Sequence, residues 1–327
     1  MEKTEEIITL TTHILQKQQQ LKQNTTGDFT LLLNAICTAC KFISSKVRSA
    51  GIANLSGLHG TTNQTGDDQQ KLDVLSNDVV KNVLIKSGKC CILASEEEEN
   101  AIFLDGQGKY IVAFDPLDGS SNIEVNISIG TIFSISKRNG DVNDINELLR
   151  SGNSIISAGY CLYGSSTQMV LAFAGEVNIY TLDPSFGEFI LTHPMVKIPN
   201  KGSIYSINEG NAKIWDKATE EYVKEKKNGK PYSLRYVGSM VADVHRTLIK
   251  GGIFLYPSDL KNKNGKLRVL YECFPMSFII ENAGGLSSTG KGRVLDIEPK
   301  SIHEKCSIVI GSKDDINDFE DCVKKFN

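Results

Sequence analysis

Two apolar runs that break off into acid constrain the fold of this chain more than any other feature. Cys90-Cys91-Ile92-Leu93-Ala94 ends at Ser95 and four glutamates, and Tyr110-Ile111-Val112-Ala113-Phe114 runs straight into Asp115-Pro116. Runs this short and this apolar read as strands buried on both faces, with their acidic residues emerging at one edge of a sheet. Further strands are expected at 127–136, 154–163, 168–173, 177–182, 202–207, 253–256 and 306–310. Between and after them lie helical stripes. Phe29, Leu33, Ile36, Cys40, Ile43 and Val47 recur at helical spacing behind Thr26-Gly27-Asp28. A second helix is expected at 73–86, and others at 211–227, 239–250, 269–283 and 313–325. Alternation of the two periods predicts an α/β layered fold. Residues 56–71, rich in Gly, Thr, Asn, Asp and Gln, read as a mobile loop. The Pro-containing stretch His193–Lys201 is the expected seam between an N-terminal domain, 1–195, and a C-terminal one, 196–327.

Bulk properties exclude several classes. The chain has 327 residues and a formal net charge of −3, so nothing draws the whole molecule to nucleic acid or to an anionic membrane. No apolar run reaches the ~18 residues that span a bilayer, and the acidic start Met-Glu-Lys-Thr-Glu-Glu is no signal peptide, so a soluble, cytoplasmic protein is expected. The eight cysteines read as reduced core residues. Cys37 and Cys40 form a C-x-x-C without a second pair or a nearby His to complete a zinc site, and they fall on the helical stripe, so they read as packing residues. His245 reads as structural.

The string Asp115-Pro116-Leu117-Asp118-Gly119-Ser120-Ser121 puts two carboxylates on a tight turn directly after a buried strand. Hard Mg²⁺ takes oxygen ligands in octahedral geometry, and such a turn offers carboxylates and the Leu117 carbonyl together. Gly119, Ser120 and Ser121 then supply amides and hydroxyls for a phosphate oxygen. If the two acid-tipped strands are neighbours, Glu96 and Asp115 converge, and a divalent cation is the natural remedy for their repulsion.

With Ser95-Glu96-Glu97, the 115–121 string and Glu281-Asn282-Ala283-Gly284-Gly285, the chain resembles the lithium-sensitive, metal-dependent phosphatases. Within that superfamily it is similar to the class 1 fructose-1,6-bisphosphatases. The further strings are Gly66-Asp67 with Lys71 to Asn77, Asn208-Glu209-Gly210, Arg235 to Met240, and Gly265-Lys266-Leu267-Arg268 leading to Tyr271-Glu272-Cys273. The resemblance implies a layered α-β-α-β-α fold with two mixed sheets. It implies hydrolysis of the 1-phosphate of fructose 1,6-bisphosphate to fructose 6-phosphate, in gluconeogenesis, by a metal-activated water. Metal ligands would be Asp67, Glu96, Asp115, Leu117, Asp118 and Glu272, holding two or three Mg²⁺ per subunit, with Mn²⁺ or Zn²⁺ as alternatives. Asp73 and Glu97 would orient and deprotonate the water. Asp118, Gly119, Ser120, Ser121, Asn208, Glu209, Gly210, Tyr236, Gly238, Ser239, Met240, Tyr256, Lys266, Leu267 and Arg268 would surround the substrate. Arg235 would come from a neighbouring subunit of a homotetramer. Asn211 stands where the family has Tyr, removing a phenol donor to the distal phosphate. AMP would act as an allosteric inhibitor at Thr26, Gly27, Asp28, Phe29, Thr30, Lys109, Tyr110 and Lys137, where the family's Arg is replaced by that Lys, weakening the site. The nearest rival enzymes are an inositol-monophosphatase-like or a sedoheptulose-bisphosphatase activity. A catalytically silent nucleotide-sensing scaffold is the rival of another class.

Overall fold

The structure, a computed structural model, describes residues 7–21, 27–50, 52, 58–62, 68–141, 143–229 and 232–326. Seven α-helices are described: α1 (Leu10–Gln20), α2 (Asp28–Arg48), α3 (Lys71–Ser87), α4 (Lys217–Asn228), α5 (Met240–Lys250), α6 (Phe274–Asn282) and α7 (Lys313–Phe326). The strands β1 (Leu58–Thr62) and β2 (Asp68–Gln70) pair antiparallel. That pair corrects the expected loop at 56–71; polar strands carry no hydrophobic alternation by which a sequence could reveal them.

An eight-stranded sheet follows from β3 (Cys90–Ser95), β4 (Ile102–Phe103), β5 (Tyr110–Asp118), β6 (Ile129–Lys137), β7 (Ile155–Tyr163), β8 (Thr167–Phe173), β9 (Glu176–Asp183) and β10 (Glu188–His193), in the spatial order β10-β9-β8-β7-β6-β5-β3-β4. All its pairs are antiparallel except β3 with β5, so the sheet is mixed. The second sheet takes β11 (Ile204–Ser206), β12 (Ser233–Leu234), β13 (Ile253–Tyr256), β15 (Leu286–Ser288) and β17 (Ile308–Gly311), also mixed, while β14 (Leu267–Arg268) and β16 (Lys305–Cys306) make a separate two-stranded ribbon.

Three apolar clusters fix the layers. One packs α1, α2 and α3 on the first sheet through Leu33, Ile36, Leu72, Val80, Leu93 and Phe114. A second lies between the sheets, with α5 and α6 contributing Val241, Val244, Met276 and Ile279, and it draws on residues from both sides of Met195. A third seats α4 and α7 on the far face of the second sheet through Tyr222, Val223, Ile316 and Phe319. Helices and sheets therefore stack α-β-α-β-α. Helix α2 is long and apolar enough to cross a bilayer, but its stripe is buried on the first sheet, as in the core helix of a globular layer. All eight cysteines are free and buried, and Cys37 and Cys40 pack in that same core.

Candidate functional site

The acid-tipped strands are neighbours. β3 and β5 run parallel with Ser95 opposite Phe114, and the Glu96 amide donates to the Phe114 carbonyl at 3.2 Å, so Glu96 and Asp115 emerge side by side. Between Asp115 and Asp118 the pairing with β6 shifts register, and the Leu117 amide turns back to Asp115 Oδ1 at 2.9 Å. That irregular turn aims Asp118 into the same space. The fourth acid comes from far along the chain. The single regular helix expected over 269–283 does not form, because Val269–Cys273 winds as a π-helix before α6. The wider turn carries Glu272 inward, and such turns recur at functional sites. Ligand atoms of Asp115, Asp118 and Glu272 lie within 4.8 Å of one another, all buried.

Electrostatics shows what this crowding costs. Burial, and then the charges of Glu96, Asp118 and Glu272, push the Asp115 carboxyl well above its ordinary range. Burial likewise raises Asp118 to about 7 and Glu272 to about 8, Arg268 partly offsetting both. Carboxylates gathered this way are held ionised only by positive charge. Arg268 supplies some: its guanidinium sits 2.8 Å from Glu96 Oε1 and 3.8 Å from Glu272 Oε2, while its amide donates to Glu272. Glu272 is therefore no exposed i,i+4 partner of Arg268 but a buried acid. The all-oxygen donor set, with more acid than its one guanidinium balances, fits hard divalent cations such as Mg²⁺.

These acids floor a cavity of about 450 Å³, whose lining also includes Asp73, Glu97, Leu117, Gly119, Ser120, Ser121, Tyr236, Gly238, Met240, Tyr256, Lys266 and Leu267. That volume suits a small phosphorylated ligand. Asp73 lies in the first turn of α3, buried. The Glu96–Glu99 loop is tied to α3 by Glu98, which accepts from Asn77 Nδ2 at 2.8 Å and pairs with Lys81, and by Ser95, which donates to Asn77 Oδ1 at 2.8 Å. Gly119 takes φ +77°, the left-handed region that a side chain resists, and it turns the next residues into a short 3₁₀ segment. Burial raises the phenols of Tyr256 and Tyr236, the latter to about 12, so both are protonated donors at neutral pH.

Several expected substrate residues lie elsewhere. Asn208, Glu209 and Gly210 do not line the cavity. Asn208 caps a 3₁₀ turn by accepting from the Gly210 amide at 3.0 Å, and the Glu209 carboxylate is taken by Lys227 and by the Tyr205 hydroxyl at 2.7 Å. Arg235 is exposed outside the lining, its guanidinium donating to the Leu234 carbonyl. Ser239 is fully enclosed behind Gly119, and its hydroxyl finds no partner among the described residues. Asp67 and Thr26 lie outside the described residues.

Sequence reasoning missed two lining residues, Phe254 and Asp243. Asp243 accepts the Val237 amide at 3.0 Å and the Gly238 amide at 3.1 Å, and it pairs with Arg246, which in turn donates to the Arg235 carbonyl. It thus holds the turn that presents Tyr236 and Gly238. An acid in the first turn of a helix just after Gly238-Ser239 was the available signal. Across the cavity, the Val241 amide donates to Asp118 Oδ2 at 3.2 Å and Asn122 Nδ2 to the Gly238 carbonyl at 3.2 Å, so α5 and the acid turn close on each other.

The other expected cluster gathers at the start of α2. Gly27, at φ +76°, opens the helix; Asp28 pairs with Lys109 at 2.9 Å and with Lys89, unmarked in the sequence, at 2.7 Å. Phe29 and Tyr110 rings are 6.0 Å apart, and Lys137 is the cross-strand partner of Tyr110. Thr30, however, points inward, its hydroxyl donating to Gln18 Oε1 at 2.9 Å.

Two protein-family models match the chain: "Fructose-1-6-bisphosphatase, N-terminal domain" over residues 8–194 and "Fructose-1-6-bisphosphatase, C-terminal domain" over 198–324. Cytosolic fructose-1,6-bisphosphatase of Spinacia oleracea is 54% identical over 322 residues, covering 96% of this chain and 94% of the relative. Its namesake from Arabidopsis thaliana is 55% identical with the same coverage. The crystal structure of Leishmania major fructose-1,6-bisphosphatase in holo form superposes with a TM-score of 0.92 at 43% identity, covering 98% of this chain and 99% of that one.

Proposed function

The chain belongs to the fructose-1,6-bisphosphatase family, and from that premise we propose that it removes the 1-phosphate of fructose 1,6-bisphosphate by cation-assisted attack of water, in the cytosol and in gluconeogenesis. The observation that carries the reading is the convergence of Asp115, Asp118 and Glu272 on one buried point of the cavity. In this reading Glu96, Asp115, Asp118, Glu272 and the Leu117 carbonyl, with Asp67, hold two or three divalent cations, Mg²⁺ by the hardness of the donors. Such ions, when bound, ease deprotonation of water and neutralise charge on the leaving oxygen.

The chain's own residues do the rest. Asp73 and Glu97, lining the same cavity from α3 and the acid loop, orient the attacking water and take its proton. Amides and hydroxyls of Gly119, Ser120 and Ser121 receive the 1-phosphate oxygens in line with that water. Tyr236, Tyr256 and Lys266 grip the sugar and the distal phosphate, supported by Gly238, Ser239, Met240 and Leu267. Arg268 belongs in this reading to the acid cluster, balancing Glu96. Arg235 acts from the neighbouring subunit of a homotetramer. Two domains divide near residue 195. AMP binds at Gly27–Thr30 with Lys109, Tyr110 and Lys137, weakly, because Asp28 already neutralises Lys109. Phosphate release with and without Mg²⁺ from fructose 1,6-bisphosphate, sedoheptulose 1,7-bisphosphate and inositol 1-phosphate tests the reading. Mg²⁺-dependent preference for the first is expected, and indifference to Mg²⁺ would sink it.

A further inference from the structure

A second cavity, of about 850 Å³, lies along the β16 strand of the ribbon, and its lining is basic. Lys261, Lys263, Lys291, Lys300 and Lys305 face it, against a single acid, Glu304. In a chain of net charge −3 this is a local reversal of sign. None of the five ammonium groups has a carboxylate at ion-pair distance among the described residues. The acids nearby are turned to backbone: Glu304 accepts the Lys300 amide at 2.5 Å, and Asp259 accepts the Lys261 and Asn262 amides at 2.8 and 2.7 Å.

The groove is built into the fold. Its wall, the loop 261–265, lies flat on the ribbon because Gly265, at φ +83°, has the Cys306 carbonyl 2.1 Å from where a Cβ would stand. Thr289, Asn264 and Ser307 add neutral hydrogen-bonding groups. The lysines come from three separate segments, so one phosphate cannot meet all of them, whereas several linked anions can. Lysine ammonium groups suit phosphate or carboxylate oxygens as point charges. The one aromatic ring in the lining, His303, has both nitrogens engaged, with the Tyr271 hydroxyl at 2.6 Å and the Glu99 carbonyl at 3.2 Å. No ring is left on which bases could stack, which disfavours single-stranded nucleic acid.

We propose that this groove is a second anion site, taking a small metabolite that carries at least two phosphate or carboxylate groups, and that it fills independently of the catalytic cavity. The two cavities divide the ribbon by strand: Lys305 and Cys306 of β16 line the groove, and their cross-strand partners Arg268 and Leu267 of β14 line the catalytic cavity.

The test is calorimetric titration of the full chain with inorganic tripolyphosphate, in chelator and ~0.1 M salt, with the catalytic cavity saturated by fructose 6-phosphate. One tripolyphosphate per chain is expected, with affinity falling as salt rises. Lys263→Gln/Lys300→Gln, and separately Lys291→Gln/Lys305→Gln, should each weaken it roughly tenfold, since each removes two of the facing charges. Hydrolysis of fructose 1,6-bisphosphate without the probe should stay within about twofold in the first pair, whose residues lie off the ribbon. Complete displacement of the probe by fructose 6-phosphate overturns the proposal, as does unchanged affinity in both double variants. So does capture of single-stranded RNA or anionic vesicles, but not tripolyphosphate, through the same lysines.

Discussion

Asp118→Asn separates the cost of the acid cluster from its use. Burial raises the Asp118 carboxyl from 3.8 to about 7, so the folded chain holds this proton more tightly than the unfolded one. Stability from that preference is complete below the ordinary value and is lost as pH rises through about 7. A displacement of about three units is worth up to about 4 kcal/mol at pH 8 without cation. Asn keeps the shape and the acceptor for the Val241 amide but carries no charge. Without cation at pH 8, the variant should therefore melt higher than wild type, by up to about 8 °C at roughly 2 °C per kcal/mol for a chain of this size. At pH 5, where Asp118 is already protonated, the difference should shrink toward zero. Mg²⁺ should narrow the gap, because wild type gains about 2.7 kcal/mol when the ion stands at 100 times its Kd and the variant gains much less. Thermal unfolding at both pH values, in chelator and in Mg²⁺, reads all of this, and phosphate release should fall at least about 100-fold in the variant. A variant less stable than wild type in chelator at pH 8, or one responding to Mg²⁺ as wild type does, would refute the cation-holding role.

Asp73→Ala should lower kcat far more than it changes KM, since the group is assigned to the water rather than to the sugar; steady-state kinetics showing a change in KM alone removes it from the catalytic set. Asp243→Asn, which turns a charged acceptor of two amides into a poorer one, should cost about 2 kcal/mol of stability and raise KM several-fold more than it lowers kcat. Unchanged KM would leave Asp243 a purely structural residue. AMP titration at fixed Mg²⁺ should show weak inhibition that Lys137→Arg strengthens by roughly fivefold through a bidentate contact, and wild-type indifference to millimolar AMP would dispose of that site.

The acid-tipped strands, the 115–121 turn and the helical stripes of α2, α5 and α7 were legible in the sequence because each is a short-range pattern. Apolar alternation, turn residues and capping act within a few positions. So does the chemistry of the donor set: clustered Asp and Glu beside Gly119-Ser120-Ser121 point to hard cations and phosphate wherever the chain puts them. The sequence left undecided which distant groups meet. Only the parallel register of β3 with β5 places Glu96 against Asp115, and only the π-helix at Val269–Cys273 swings Glu272 across to them. Asn208 and Glu209 look like substrate residues in a motif, yet packing gives them a capping bond and an ion pair with Lys227. Asp243 looks like an ordinary helix acid until the fold brings the Val237 and Gly238 amides onto it. The raised carboxyls likewise belong to the tertiary structure, since desolvation arises only when layers close over the charges. Residue type fixes what a side chain can do; the closing of the two sheets on each other decides what each one faces.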